Sequence, residues 1–140
     1  ARKLVREASD RRGHGIALAV RLLTRPEESL KRGLRADIWA DEGLIDAVIP
    51  CNFWASIDFD IPIAEWKRWT KGRICVYAGA DSGVVDEKGR RLATYAEYLA
   101  WAKGCRKNGA DGLYLFNLFV QPRETTWKSV LTEGLFGSEN

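Results

Sequence analysis

One pattern recurs along the chain and limits its possible folds: a short apolar run, then a stretch with helical signals, at nearly constant spacing. The runs begin at Ile16, Ile45, Ile74 and Gly112, so they are 29, 29 and 38 residues apart (16 to 45, 45 to 74, 74 to 112). Runs this short, rich in branched and small residues and bounded by glycine or proline, read as buried strands. Strands separated by helices cannot be joined as hairpins. They form βαβ units with a parallel sheet and right-handed crossovers. An eight-unit (β/α) barrel of about 250 residues uses roughly 31 residues per unit. Four such units behind a leading helix make half of that barrel. The competing architecture is a flavodoxin-like sheet, but that fold opens on a strand and has five, and its phosphate-binding members need a permissive loop after the first strand. Here that loop is Leu23-Thr24-Arg25-Pro26, without glycine.

The local signals support this order. Ala1 to Arg12 carries Leu4, Val5 and Ala8 at helical spacing, and Gly13-His14-Gly15 ends it. Ile16 to Leu22 reads as the first strand, and Thr24-Arg25-Pro26-Glu27-Glu28 supplies a cap, an early proline and first-turn acids for a helix through Leu30. Helix Ala36 to Glu42, strand Ile45 to Cys51, helix Pro62 to Thr70 and strand Ile74 to Ala78 follow. Gly79 to Gly89 reads as a loop, Tyr95 to Arg106 as an amphipathic helix closed by Asn108-Gly109, Gly112 to Asn117 as the fourth strand and Thr125 to Thr132 as a last helix. The expected organisation is one partial domain over 1–140: a leading helix at 1–13, four strands with their helices at 14–119, and a last helix and tail at 120–140.

Composition narrows the function classes. At 140 residues, with 46% hydrophobic and 29% charged residues, the chain is an ordinary globular one with enough length for a core. Its formal net charge of +3 is spread along the chain, which is not the basic patch of a nucleic-acid binder. No apolar run approaches the ~20 residues of a membrane span. The three cysteines, Cys51, Cys75 and Cys105, are too few and too widely spaced for a disulfide framework and form no C-x-x-C pair. No cofactor motif is present. The chain has no methionine, even at position 1, which leads us to expect a piece of a longer protein.

Barrel logic sorts the polar residues, because function sits at the C-terminal strand ends and structure at the N-terminal ends. His14, the single histidine, and Asp46 and Asp111 precede strands and are read as structural. One histidine in that place builds no Ser-His-Asp triad and no His-based metal site. Arg21 closes the first strand on the face of Ala17 and Ala19, where small neighbours leave its guanidinium room; a salt bridge to a nearby loop is the ordinary alternative. Asn52, Phe53 and Trp54 follow the second strand, and an amide beside flat aromatic faces suits a sugar, although such aromatics also pack loops. Asp58 and Asp60 come next, with Asp60 placed to cap a helix. Tyr77, Gly79 and Asp81 end the third strand and Asn117 the fourth. Gly79 is read as room for close approach of a substrate. Acidic residues at strand ends, without a metal cluster, point to glycoside hydrolysis, with Asp81 and Asp58 as the candidate carboxylates. Asp81-Ser82-Gly83 also reads as a turn in which the aspartate bonds its own backbone.

The stretch Gly43-Leu-Ile-Asp-Ala-Val-Ile-Pro50, then Asp58-Phe-Asp-Ile-Pro-Ile63 with a tryptophan-bearing helix, then Val76-Tyr-Ala-Gly79 and Gly109-Ala-Asp-Gly-Leu-Tyr-Leu-Phe-Asn117, resembles the C-terminal half of uncharacterised bacterial family-10-like glycosylhydrolases. The resemblance spans roughly Gly13 to Phe119. It implies a (β/α)8 barrel, a carbohydrate substrate and an extracytoplasmic placement. It further implies that these strands are the fifth to eighth, that the acid/base lies on the absent half, and that the nucleophile position falls after the third strand here, at Asp81. The expected substrate-binding residues are Arg21, Asn52, Trp54, Tyr77 and Asn117. The chain alone is then expected to be inactive, and to pair with the missing N-terminal half or as a homodimer. The alternatives are a non-catalytic module binding carbohydrate or protein, and a flavodoxin-like small-ligand binder.

Overall fold

A computed structural model describes residues 1–53 and 56–117. The elements run α1 (Arg2–Arg12), β1 (Ala19–Leu22), α2 (Pro26–Lys31), α3 (Ala36–Asp41), β2 (Ala47–Pro50), α4 (Ile63–Trp69), β3 (Cys75–Ala80), β4 (Gly83–Asp86), β5 (Gly89–Leu92), α5 (Tyr95–Lys107) and β6 (Gly112–Leu115). The chain is α/β, with a four-stranded sheet in the order β1-β2-β3-β6 and a separate β4-β5 pair. All three contacts within the larger sheet are parallel.

The order has a physical consequence. Successive strands add on one side only, and right-handed crossovers that always step the same way place every helix on the same sheet face. The buried core agrees: Leu22, Val48, Val76, Ala78 and Ala80 from that face join Ala36 of α3, Ile63 and Trp66 of α4, and Tyr98, Trp101, Ala102 and Cys105 of α5. A flavodoxin-like sheet reverses its strand order at a switch point. The described sheet has no reversal.

Strand alternation sends the other residues to the opposite face. The register pairs Arg21 with Ile49, Tyr77 with Gly112 and Gly79 with Tyr114, so these side chains share one surface. Among the described residues β1 and β6 have one unpaired edge each.

Matching devices hold the N-terminal strand ends. Asp46, just before β2, accepts the Leu18 N–H at 2.7 Å and an Arg2 N–H at 2.9 Å. Asp111, just before β6, accepts the Val76 N–H at 2.8 Å and the Lys67 ammonium at 2.8 Å. Each carboxylate satisfies a backbone donor at the start of the neighbouring strand.

The segment read from sequence as the loop Gly79 to Gly89 instead contains β4 and leads into β5, an antiparallel hairpin. Its residues Asp86-Glu87-Lys88-Gly89-Arg90-Arg91 show no apolar alternation, so periodicity gave no strand signal. The hairpin is anchored from outside. The Ile57 N–H donates to Gly83 O at 2.7 Å, and Arg91 bridges Asp86 at 3.0 Å and Glu97 at 2.6 Å. Glu97 in turn closes a capping box with Thr94 at the start of α5. The expected helix Thr125 to Thr132 and its Trp127 lie outside the described residues.

Candidate site at the C-terminal strand ends

Arg21 is the centre of the arrangement. Its Cζ lies 3.6 Å from the ring centroid of Phe116, just beyond β6, and 4.3 Å from that of Phe53, just beyond β2. Phe116 also stacks with Tyr114, centroids 6.3 Å apart. The guanidinium thus contacts aromatic faces from two other strand ends, each contact worth about 0.5–2 kcal/mol. Its Nη1 is buried and makes no hydrogen bond among the described residues. Leaving such a donor unpaired costs about 1–3 kcal/mol, so the clamp offsets a local penalty rather than adding free stability. The salt bridge considered from sequence is absent among the described residues. Of the three arginines there that are not exposed, Arg2 pairs with Asp46 and Arg25 with Asp60, whereas Arg21 pairs with no carboxylate.

Cys51 sits beneath this clamp, fully buried. Burial pushes its thiol above the ordinary value; the Arg21 charge opposes the shift and the Asp81 carboxylate adds to it. Cys51 is therefore a neutral packing group, next to both charged side chains. Its position also revises the reading of Gly79. A Cβ on Gly79 would stand 2.6 Å from Cys51 Cβ and 3.0 Å from Pro50 O. The room over this glycine is filled by the neighbouring strand, not held open for substrate.

Asp81 ends β3 only 4% exposed. Its Oδ1 accepts from the Ser82 N–H and, at 3.1 Å, from the Ser82 hydroxyl, which itself receives an Arg90 N–H at 3.1 Å from the β4-β5 hairpin. The Tyr98 hydroxyl donates to the Asp81 carbonyl at 3.0 Å, and burial together with the Asp81 charge pushes that phenol up to about 12. The turn-like bond anticipated for Asp81 is present, on a buried carboxylate whose charge reaches Cys51.

The remaining candidates fall in different places. Asp58 accepts the Asp60 N–H at 2.8 Å and lines a cavity of about 330 Å³ with Thr24, Arg25, Asn52 and Phe53, a space that Asp81 does not line. The two candidate carboxylates are therefore not gathered into one cavity. Asn52 donates to Ser56 Oγ at 2.7 Å on the rim of the same cavity. Tyr77 is half-buried over Gly112, where a Cβ would meet its ring at 2.6 Å. Its hydroxyl is shifted upward by Cys75, by burial and by Asp111, neighbours at the N-terminal strand ends, so it faces away from the Arg21 clamp. Asn117 is exposed with φ 53, a left-handed turn that asparagine tolerates. Trp54 lies outside the described residues. His14 is exposed before β1, as its place in the sequence suggested.

No protein-family model matches this chain, and no curated protein does either. Among the described residues no three His, Cys, Asp or Glu side chains stand where they could hold a metal ion, and no helix is long and apolar enough to cross a membrane. Phe116 is the functional neighbour that sequence reasoning missed. The signal was available: β6 alternation places Tyr114 and Phe116 on the face shared by Arg21 once the parallel register is drawn.

Proposed function

We propose that this chain is half of a (β/α)8 barrel of the glycoside-hydrolase type, binding carbohydrate at its C-terminal strand ends and completing hydrolysis only with the other half of the site. The observation that carries the reading is that Arg21, Phe53, Asp81 and Phe116 stand at four strand ends at the mouth of a parallel sheet with sequential strand order, with Arg21 in contact with both rings. Aromatic faces beside fixed polar groups match the two sides of a pyranose, which presents C–H patches and hydroxyls. Asp81 stands where the family resemblance places the nucleophile, and a retaining enzyme would need the acid/base carboxyl about 5–5.5 Å away on the missing half. The unpaired edges of β1 and β6 support completion of the barrel by an N-terminal half or by a second copy.

In the full-length parent, Asp81→Asn should reduce turnover of a good glycoside to near background with sugar binding kept. Wild-type turnover in that variant would end the nucleophile assignment. A second reading, binding without turnover, draws on the separation of Asp58 from Asp81 and on the Ser82 hydrogen bonds to Asp81. It predicts a parent that binds glycans and hydrolyses none.

A further inference from the structure

We infer that Arg21 reads a carboxylate on the sugar, so that the preferred ligand is an acidic, uronate-type glycan rather than a neutral one. The inference rests on the carbohydrate reading above and deepens it. Its basis is the state of the guanidinium. Its Cζ lies over two rings, at 3.6 and 4.3 Å from their centroids, and its N–H donors point outward in the guanidinium plane. Nη1 is withdrawn from solvent and has no acceptor among the described residues. An acceptor that approaches in the plane of an arginine fork and carries the opposite charge is a carboxylate, which the fork matches with two parallel bonds. A neutral hydroxyl offers one lone-pair contact and leaves the charge unbalanced. Among the described residues no carboxylate pairs with this group: Asp81 Oδ1 accepts from Ser82, while Arg2 and Arg25 each have an acidic partner. Phe53, the ring 4.3 Å from the guanidinium, is 44% exposed, so this side of the contact borders solvent.

The test uses the 140-residue chain and ligand-observed NMR titrations with D-galacturonate, D-glucuronate, the matching neutral hexoses, and acetate. The expected result is a uronate affinity roughly tenfold or more above that of the neutral hexoses, as a charge-assisted bidentate pair provides. The preference should vanish in Arg21→Gln and be reduced in Arg21→Lys, which keeps the charge but loses the fork. Arg21→Lys also serves as the informative variant if Arg21→Gln fails to fold by circular dichroism. Equal binding of uronates and hexoses, or a uronate preference that survives both substitutions, would overturn the inference while leaving the carbohydrate reading intact. Acetate binding as tightly as the uronates, with no hexose bound, would overturn the carbohydrate reading and the acidic-glycan assignment with it. Failure of every sugar to bind would overturn both.

Discussion

Replacing Gly79 with alanine should loosen the sheet where the site is assembled. The backbone conformation is not the obstacle, since Gly79 is not among the positive-φ glycines. The obstacle is space: the new methyl would meet Cys51 Cβ at 2.6 Å, against a comfortable carbon–carbon separation of about 3.5–4.0 Å. Cys51 cannot yield easily, because it is bridged to Gly79 as a β partner and its N–H donates to Leu22 O at 3.0 Å. Overpacking of this kind costs about 3 kcal/mol at the upper end of the usual range. The lower entropy of an unfolded alanine returns about 0.4–1 kcal/mol. The net loss is about 2 kcal/mol, or roughly 8 °C in Tm for a chain of this length. Gly104→Ala is the matched control. It lies within α5 with nothing within 4 Å of the added Cβ, and should gain about 0.5–1 kcal/mol. Urea unfolding followed by circular dichroism measures both, with an unchanged m-value showing that stability alone has moved. Gly79→Ala should also be partly rescued by Cys51→Gly, since the pair is in direct contact. A Gly79→Ala protein as stable as its parent would refute the close approach of β2 and β3 at the site.

Two buried indoles should respond differently to the same change. Trp66 Nε1 donates to Thr24 O at 2.7 Å, whereas Trp101 Nε1 is buried without a partner. Trp66→Phe should therefore cost about 1 kcal/mol more than Trp101→Phe in the same urea assay; equal costs would contradict the hydrogen-bond assignment. Acid should also destabilise the fold in a defined window. Arg2 holds the Asp46 carboxyl below its ordinary 3.8; burial would raise Asp111, but Lys67 and the Val76 N–H hold it below 3.8 as well; Arg91, then Thr94, draw Glu97 from 4.5 to about 2. Folded values below unfolded ones mean stabilisation that is complete above about pH 4.5 and is lost as pH falls towards about 2. The urea midpoint should fall through that window, and less steeply in Asp46→Asn. A midpoint independent of pH there would remove these ion pairs from the account.

The parallel strands and their helices were legible because each combines a strong apolar period with clear punctuation. Pro26 starts α2, Gly72 follows α4, and Asn108-Gly109 closes α5. Sequence also separated Asp46 and Asp111, at the N-terminal strand ends, from Arg21 and Asp81 at the C-terminal ends. The hairpin was hidden because its cohesion comes from long-range groups, Arg91 with Glu97 and Ile57 with Gly83, which leave no periodic trace. Gly79 and Tyr77 were assigned to the mouth by position alone. Which strand fills the space above a glycine, or which way a tyrosine leans, depends on the neighbouring strands, and no local pattern records it. The Arg21 clamp joins residues 21, 53 and 116, and becomes visible only when the register brings their strands into one sheet.

The claim on which the rest depends is that the sheet is one half of a closed barrel. Light scattering on the purified chain at micromolar concentration tests it most directly. The edges of β1 and β6, unpaired among the described residues, predict association, with a mass of twice the 15.8 kDa of one chain, or an equimolar complex when the N-terminal half is supplied. A cooperatively folded monomer of 15.8 kDa that does not bind the N-terminal half would contradict it.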